Sequence, residues 1–192
     1  MKSFAKKAVV LMPVMLLSLT ACGKLSEDQA KERAKGYNLA AVQEKYASVD
    51  IKSEIKVNKR TGVFEEGGLM SSMADTLIDV FEGENGDGQD VSEGFMGELT
   101  FDSGDLGKEV EVEYYGYKKT GLKITVNGKT DETTEGITEK IEVHETIFVL
   151  DDGRMEKGNG SMKMNVSGTY MGLSMEGVLD FSFKVSYSWN KK

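Results

Sequence analysis

Beyond residue 48 most of the chain alternates between apolar and polar positions. Val49, Ile51, Ile55 and Val57 are separated by Asp50, Lys52, Glu54 and Lys56, a period of two that predicts a strand with one wet face. Val110, Val112 and Tyr114 alternate with Glu109, Glu111 and Glu113, and Phe95, Leu99 and Phe101 share another alternation. Leu122, Ile124 and Val126 run into Asn127-Gly128, a pair that favours a two-residue hairpin turn. Ile137, Ile141, Val143, Ile147 and Val149 share one face, and Met162, Met164, Val166 and Tyr170 share the next. Asp152-Gly153 and Asn159-Gly160 read as further turns.

The last segment is the most regular. Leu173, Met175, Leu179, Phe181, Phe183, Val185, Tyr187 and Trp189 take every odd position except Gly177. A straight strand of that length would run roughly 55 Å at ~3.3 Å per residue. A compact domain of this size has a radius of gyration of only about 15 Å. The strand must therefore bend, and Gly177 is the expected bulge or kink. One-sided alternation over many strands points to antiparallel sheet with one buried face. The expected fold is mainly β with minor α, a curved antiparallel sheet or partial barrel with an N-terminal helix.

Two segments carry helical spacing. Ser26-Glu27-Asp28-Gln29 has a capping serine, acids in the first turn and a glutamine three residues on. A polar helix is expected from there to about Ala47, with Ala30, Ala34, Tyr37, Ala41 and Val42 as a weak apolar stripe. Gly36 divides it, and Asn38 offers a second cap. Leu69, Met70, Met73, Leu77 and Phe81 predict a short helix from about Ser71. Residues 82–92 read as a polar loop. The helices are expected to cover one side of the sheet.

The N-terminus differs from all of this. Lys2, Lys6 and Lys7 precede an uncharged, mostly apolar stretch from Ala8 to Leu19. That stretch is too short to span a bilayer, which takes about 20 apolar residues, and Pro13 interrupts it. It ends in Leu19-Thr20-Ala21-Cys22, and Cys22 is the only cysteine. The pattern resembles the lipobox of bacterial lipoproteins. The resemblance implies cleavage between Ala21 and Cys22 and a diacylglycerol thioether on Cys22, with further acylation (palmitate is typical of the class). Residues 1–21 are then a removed signal, 22–25 a lipidated end and short tether, and 26–192 one domain. The partner of Cys22 is the membrane, on the extracytoplasmic side. Two acyl chains, at about 0.8 kcal/mol per buried CH₂, anchor stably where one is marginal.

Composition narrows the function further. Removing residues 1–21 takes away three lysines and no acid, so the formal charge moves from −8 to −11. Phosphate backbones repel such a chain, which excludes nucleic acid as a partner. With Cys22 acylated no disulfide is available, so the domain relies on its core. Candidate chemistry is sparse. His144, the sole histidine, falls on the wet side of its strand. No histidine pair, metal motif or phosphate loop is present, so neither a metal nor a cofactor is expected. Setting Gly88 at the sixth position of a calcium loop puts Gly83 and Gly94 where acids are required, so the loop fails; Asp87, Asp90 and Glu93 remain as a looser acidic group. Asn165-Val166-Ser167 fits a glycosylation pattern inside a predicted strand.

Eight methionines follow the signal, and methionine lines adaptable binding surfaces as well as cores. Met162, Met164, Tyr170, Met175, Phe181 and Phe183 form the candidate apolar ligand surface. In outline, a curved sheet with helices over such a surface is similar to the helix-capped half-barrels of LolA/LppX-type lipoprotein carriers. That likeness implies a non-catalytic carrier for lipid or another apolar small molecule. An envelope structural or protein-interaction lipoprotein, with a partner the sequence does not identify, is the alternative. A hydrolase with a carboxylate pair is a third class.

Overall fold

The computed structural model of the protein describes residues 23–82, 85–92, 96 and 109–192. Cys22, Ala21 and the whole predicted signal lie outside the described residues, as do Phe95, Leu99, Phe101 and Glu93. Eight strands form one sheet: β1 (Lys24–Leu25), β2 (Tyr46–Gly62), β3 (Gly86–Asp90), β4 (Val110–Tyr117), β5 (Gly121–Thr134), β6 (Ile137–Val149), β7 (Met155–Tyr170) and β8 (Leu173–Lys191). The spatial order is β1-β4-β5-β6-β7-β8-β2-β3, and every neighbouring pair is antiparallel. The sheet is mainly curved and open, ending at β1 on one side and β3 on the other. Three helices accompany it among the described residues: α1 (Glu27–Ala34), α2 (Leu39–Lys45) and α3 (Ser71–Glu82).

The helix starts follow local chemistry. Ser26 and Gln29 form a reciprocal capping box, with Ser26 N–H donating to Gln29 Oε1 at 2.9 Å. Asn38 Oδ1 accepts from Ala41 N at 3.1 Å and opens α2 after the break at Gly36. The helical run stops at Lys45, earlier than expected, because Tyr46 already belongs to β2. Lys24 and Leu25, expected as tether, instead form a two-residue edge strand opposite Tyr115 and Tyr114. Gly23 joins it, its carbonyl accepting from Gly116 N at 3.0 Å. The polar loop of 82–92 contains β3, which pairs with Ser48, Val49 and Ile51.

Three turn expectations divide. Asp152-Gly153 is a turn: Gly153 has φ 92° and its N–H donates to Leu150 O at 3.1 Å. Asn127-Gly128 is not, because both lie inside β5 opposite His144 and Val143. Asn159-Gly160 is not either, and lies inside β7 opposite Thr146 and Glu145. Gly160 has a packing reason instead. A Cβ there would sit 2.6 Å from the Phe183 ring, so its absence makes room for that ring. The two-residue turns are Glu135-Gly136 and Met171-Gly172. Each has positive φ at both positions, 53° and 85° in the first and 51° and 83° in the second. That is the type I′ geometry, whose twist matches the flanking strands.

Gly177 is also not a bulge. β7 and β8 pair without a register break from Ser186 to Leu173, through Val166 opposite Gly177. The irregularities fall on β2, at Ala47 and Asn58, where the register with β8 shifts. Gly177 permits close packing from above. A Cβ there would lie 2.8 Å from Thr61 O, 2.8 Å from Val63 Cγ2 and 3.0 Å from Phe64 Cδ2.

One face of the sheet is apolar and holds two clusters at different places. α3 and the 63–70 segment cover β7 and β8, packing Val63, Phe64 and Ala74 on Met164, Val166, Met175, Leu179, Phe181 and Phe183. α1 covers β4 to β6, packing Ala30 with Leu25, Tyr114, Leu122, Ile124 and Val149. The opposite face is polar, and neither hydrophobic cluster of the described residues lies on it.

Candidate functional site

The residues expected to line an apolar ligand surface are mostly core. Phe181 is fully buried, and Met164, Met175 and Phe183 are buried with it beneath α3. Met162 packs against the same cluster from its margin. Tyr170 is not among them. It is exposed at the end of β7, beside Met171 and Leu173, which are also exposed. The structure thus gathers five of the six residues around Phe64 and α3, and of the five only Phe183 also borders a cleft among the described residues. Burying them contributes stability at about 25 cal/mol per Å² of apolar surface removed from water.

The open space lies on the polar face. A cleft of about 730 Å³ runs across β4 to β8. Register sets its floor. Glu111, Asn127, His144 and Ser161 occupy one row of directly opposed residues. Lys129, Glu142, Lys163 and Asp180 occupy the next, with alternating sign. Opposite charges facing each other across strands are mutually stabilising, although exposed pairs contribute only about 0.2–1 kcal/mol. Lys129 Nζ bonds Glu142 at 2.9 Å. That bond raises the Lys129 pKa above its ordinary value and, with Lys163 adding to it, lowers that of Glu142. Asn58 Nδ2 donates to Asp180 Oδ1 at 2.9 Å and closes the row at β2. A second cleft of about 460 Å³ lies over β7, β8 and β2, lined by Lys157, Asn159, Lys184 and Glu54 together with Phe183 and Val185.

His144 is on the wet side, as its place in the alternation predicts. Its Nδ1 lies 2.6 Å from Asn127 Oδ1, and Ser161 is its ladder partner on β7. His144 and Ser161 share no hydrogen bond, so the row holds no nucleophile–base pair in contact. Asp87 and Asp90 lie on β3, where Gly88 N donates to Asp50 Oδ1 at 2.7 Å. Among the described residues no three His, Cys, Asp or Glu side chains are grouped to hold a metal ion. Val166 is buried and Asn165 and Ser167 lie within β7, so the Asn-Val-Ser pattern is part of the sheet. Glu132 and Glu139 face each other across β5 and β6 and border a small cleft of about 200 Å³ with Glu135.

Further polar and aromatic contacts lie outside these clefts. Glu113 is bonded by Lys24 and by Tyr115 Oη, and these hold its carboxyl below the ordinary range. Arg154 stacks over the Tyr46 ring at 4.2 Å while its Nε bonds Asp152 at 2.8 Å. Tyr46 and Trp189 meet edge to face at 5.8 Å. Tyr37 is half-buried nearby, and its buried Oη has no hydrogen-bond partner among the described residues.

The rows of the polar cleft were not legible beforehand. Reading Asn127-Gly128 as a turn ends β5 too early and hides that Asn127 faces His144 and Lys129 faces Glu142. The usable signal was the polar alternation itself, which continues from Thr125 through Asn127 to Lys129. No protein-family model, no curated protein and no solved structure matches this chain.

Proposed function

We propose that this protein is a membrane-anchored extracytoplasmic lipoprotein whose domain binds a partner and carries no catalysis of its own. One observation carries the anchor: the run Leu19-Thr20-Ala21-Cys22 ends one residue before Gly23, whose carbonyl is already hydrogen-bonded to β4. An acylated Cys22 would hold the sheet at the bilayer with almost no slack, since one residue reaches at most ~3.6 Å.

Of the two binding classes, protein interaction has the better support. The apolar surface that a lipid carrier would use is filled by Phe64 and α3. The accessible cleft is lined instead by Glu111, Lys129, Glu142, His144, Lys163 and Asp180, which suit a polar partner. A lipid cargo would require α3 to leave the sheet.

The test is Cys22→Ser in the full chain, expressed in a bacterial host. The variant should lose the mass of the diacylglycerol and appear in the soluble fraction, with an unchanged far-UV circular dichroism spectrum. Retention of the variant in the membrane fraction would refute the anchor.

A further inference from the structure

Among the described residues the outer edge of β2 is left open beyond β3. β3 pairs with β2 only as far as Ile51. Ser53 directs its N–H outward, donating to Asn85 Oδ1 at 2.6 Å. Backbone direction alternates along an antiparallel strand, so Ile55 and Val57 also turn N–H and C=O outward. On their inner side they face Phe183 and Phe181 of β8, and on that outer side no strand pairs with them among the described residues. Val57 is 43% exposed.

The same stretch is locally basic in an acidic chain. Lys52, Lys56 and Lys59 face the polar side, opposite Ser186, Ser182 and Asp180 of β8. Lys52 is 3.6 Å from Glu54, a loose contact. Lys56 and Lys59 take part in no ion pair among the described residues. Edge lysines and the irregularity at Asn58 guard a strand against pairing with its own copies, each of which carries the same charges. They also select what can pair: a strand of opposite charge.

We infer that the β2 edge from Ile55 to Lys59 receives an extended acidic segment of a partner protein as an added strand. This rests on the binding reading above and names the class of the partner. The incoming strand places its acidic side chains on the polar side, beside Lys56 and Lys59. Its alternate, apolar residues lie beside Ile55 and Val57. Main-chain bonds to Ile55 and Val57 supply affinity, and the alternate side chains supply selectivity.

The probe is a synthetic peptide of alternating glutamate and valine, with an alternating lysine–valine peptide as its opposite. Both are offered to the full chain in detergent, and binding is read by fluorescence anisotropy and by amide hydrogen exchange. The glutamate peptide should bind and slow exchange at Ile55 and Val57. The double variant Lys56→Glu/Lys59→Glu should weaken it at least about tenfold and favour the lysine peptide. A milder variant, Lys56→Gln/Lys59→Gln, should fall between, and circular dichroism checks that each remains folded. Equal binding of both peptides to the unaltered protein would overturn the inference. So would protection confined to Asn127–Lys129, which would move the partner to the polar cleft and leave the binding reading intact. Loss of membrane anchoring is measured separately at Cys22 and does not affect these outcomes.

Discussion

Two glycines of the sheet should respond in opposite directions to alanine. At Gly128 an added Cβ meets only Val110 Cγ2 at 3.8 Å and Val143 Cβ at 3.9 Å, ordinary contacts. Its backbone is extended strand inside β5, which alanine adopts freely. Gly128→Ala should therefore stabilise by about 0.4–1 kcal/mol, through the smaller entropy of the unfolded chain. At Gly177 the same entropy gain is outweighed. The Cβ would lie 2.8 Å from Thr61 O and 2.8 Å from Val63 Cγ2, and backbone must move to admit it. Overpacking of this kind costs about 1–3 kcal/mol; the middle of that range, less the entropy gain, leaves a net loss of about 1–2 kcal/mol. In a domain of this size each kcal/mol moves Tm by about 2–4 °C, so Gly177→Ala should melt about 2–8 °C lower. Urea unfolding followed by Trp189 fluorescence and circular dichroism measures both. Were Gly128 a turn glycine with positive φ, alanine would destabilise there, and that result would refute the register of β5. A neutral Gly177→Ala would refute the close approach of Phe64.

Two further outcomes are expected. Tyr37→Phe removes a buried hydroxyl without a partner, whose burial also pushes its phenol pKa up. It should raise stability by about 1 kcal/mol in urea unfolding; a loss of that size would mean the hydroxyl is bonded. Glu156 is partly buried, which opposes its ionisation, yet hydrogen bonds from Tyr117 Oη at 2.6 Å and Lys118 Nζ at 2.9 Å hold its pKa below 4.5. A carboxyl lowered on folding stabilises above its unfolded pKa and loses that contribution as pH falls through the folded one. Glu156→Gln should thus flatten the decline of stability below pH 4.5, and an unchanged acid limb would remove Glu156 from that decline.

The strands and helix starts were legible because each rests on neighbours in sequence. Period-two alternation marks β2, β4, β6 and β8, and Ser26, Gln29 and Asn38 cap through side chains three residues away. The errors share one cause, which is that partners across strands are invisible in a linear chain. Asn-Gly pairs promise turns, but Asn127 is held by His144 and Gly160 by the Phe183 ring. The true turn at Met171-Gly172 begins with a residue that ordinarily avoids positive φ. Five of the six candidate apolar residues meet in one cluster, as their alternation suggests, while Tyr170 stays exposed at the end of β7. Whether that face is covered depends on where Phe64 and α3 fold back, which the alternation does not encode. The polar cleft needs the registers of four strand pairs at once.

The position of the anchor bears on what the domain can reach. Lys24 lies in the row of Tyr115, Lys123, Phe148 and Lys157. From Lys157 to Tyr170 is thirteen residues along β7, roughly 43 Å at ~3.3 Å per residue. Across the sheet, β2 is six strand spacings from β1, roughly 29 Å at ~4.8 Å each. With Cys22 acylated, the β2 edge would therefore stand to the side of the anchor rather than over it. Cleavage before Cys22 would leave a formal charge of −11, which would disfavour laying the sheet flat on anionic head groups. The lysines of that edge are then left for an acidic protein strand rather than for lipid. With an anchor at Cys22, a partner using that edge would stand about 30 Å away across the sheet, and cross-linking from Lys56 and Lys59 is the direct way to capture it.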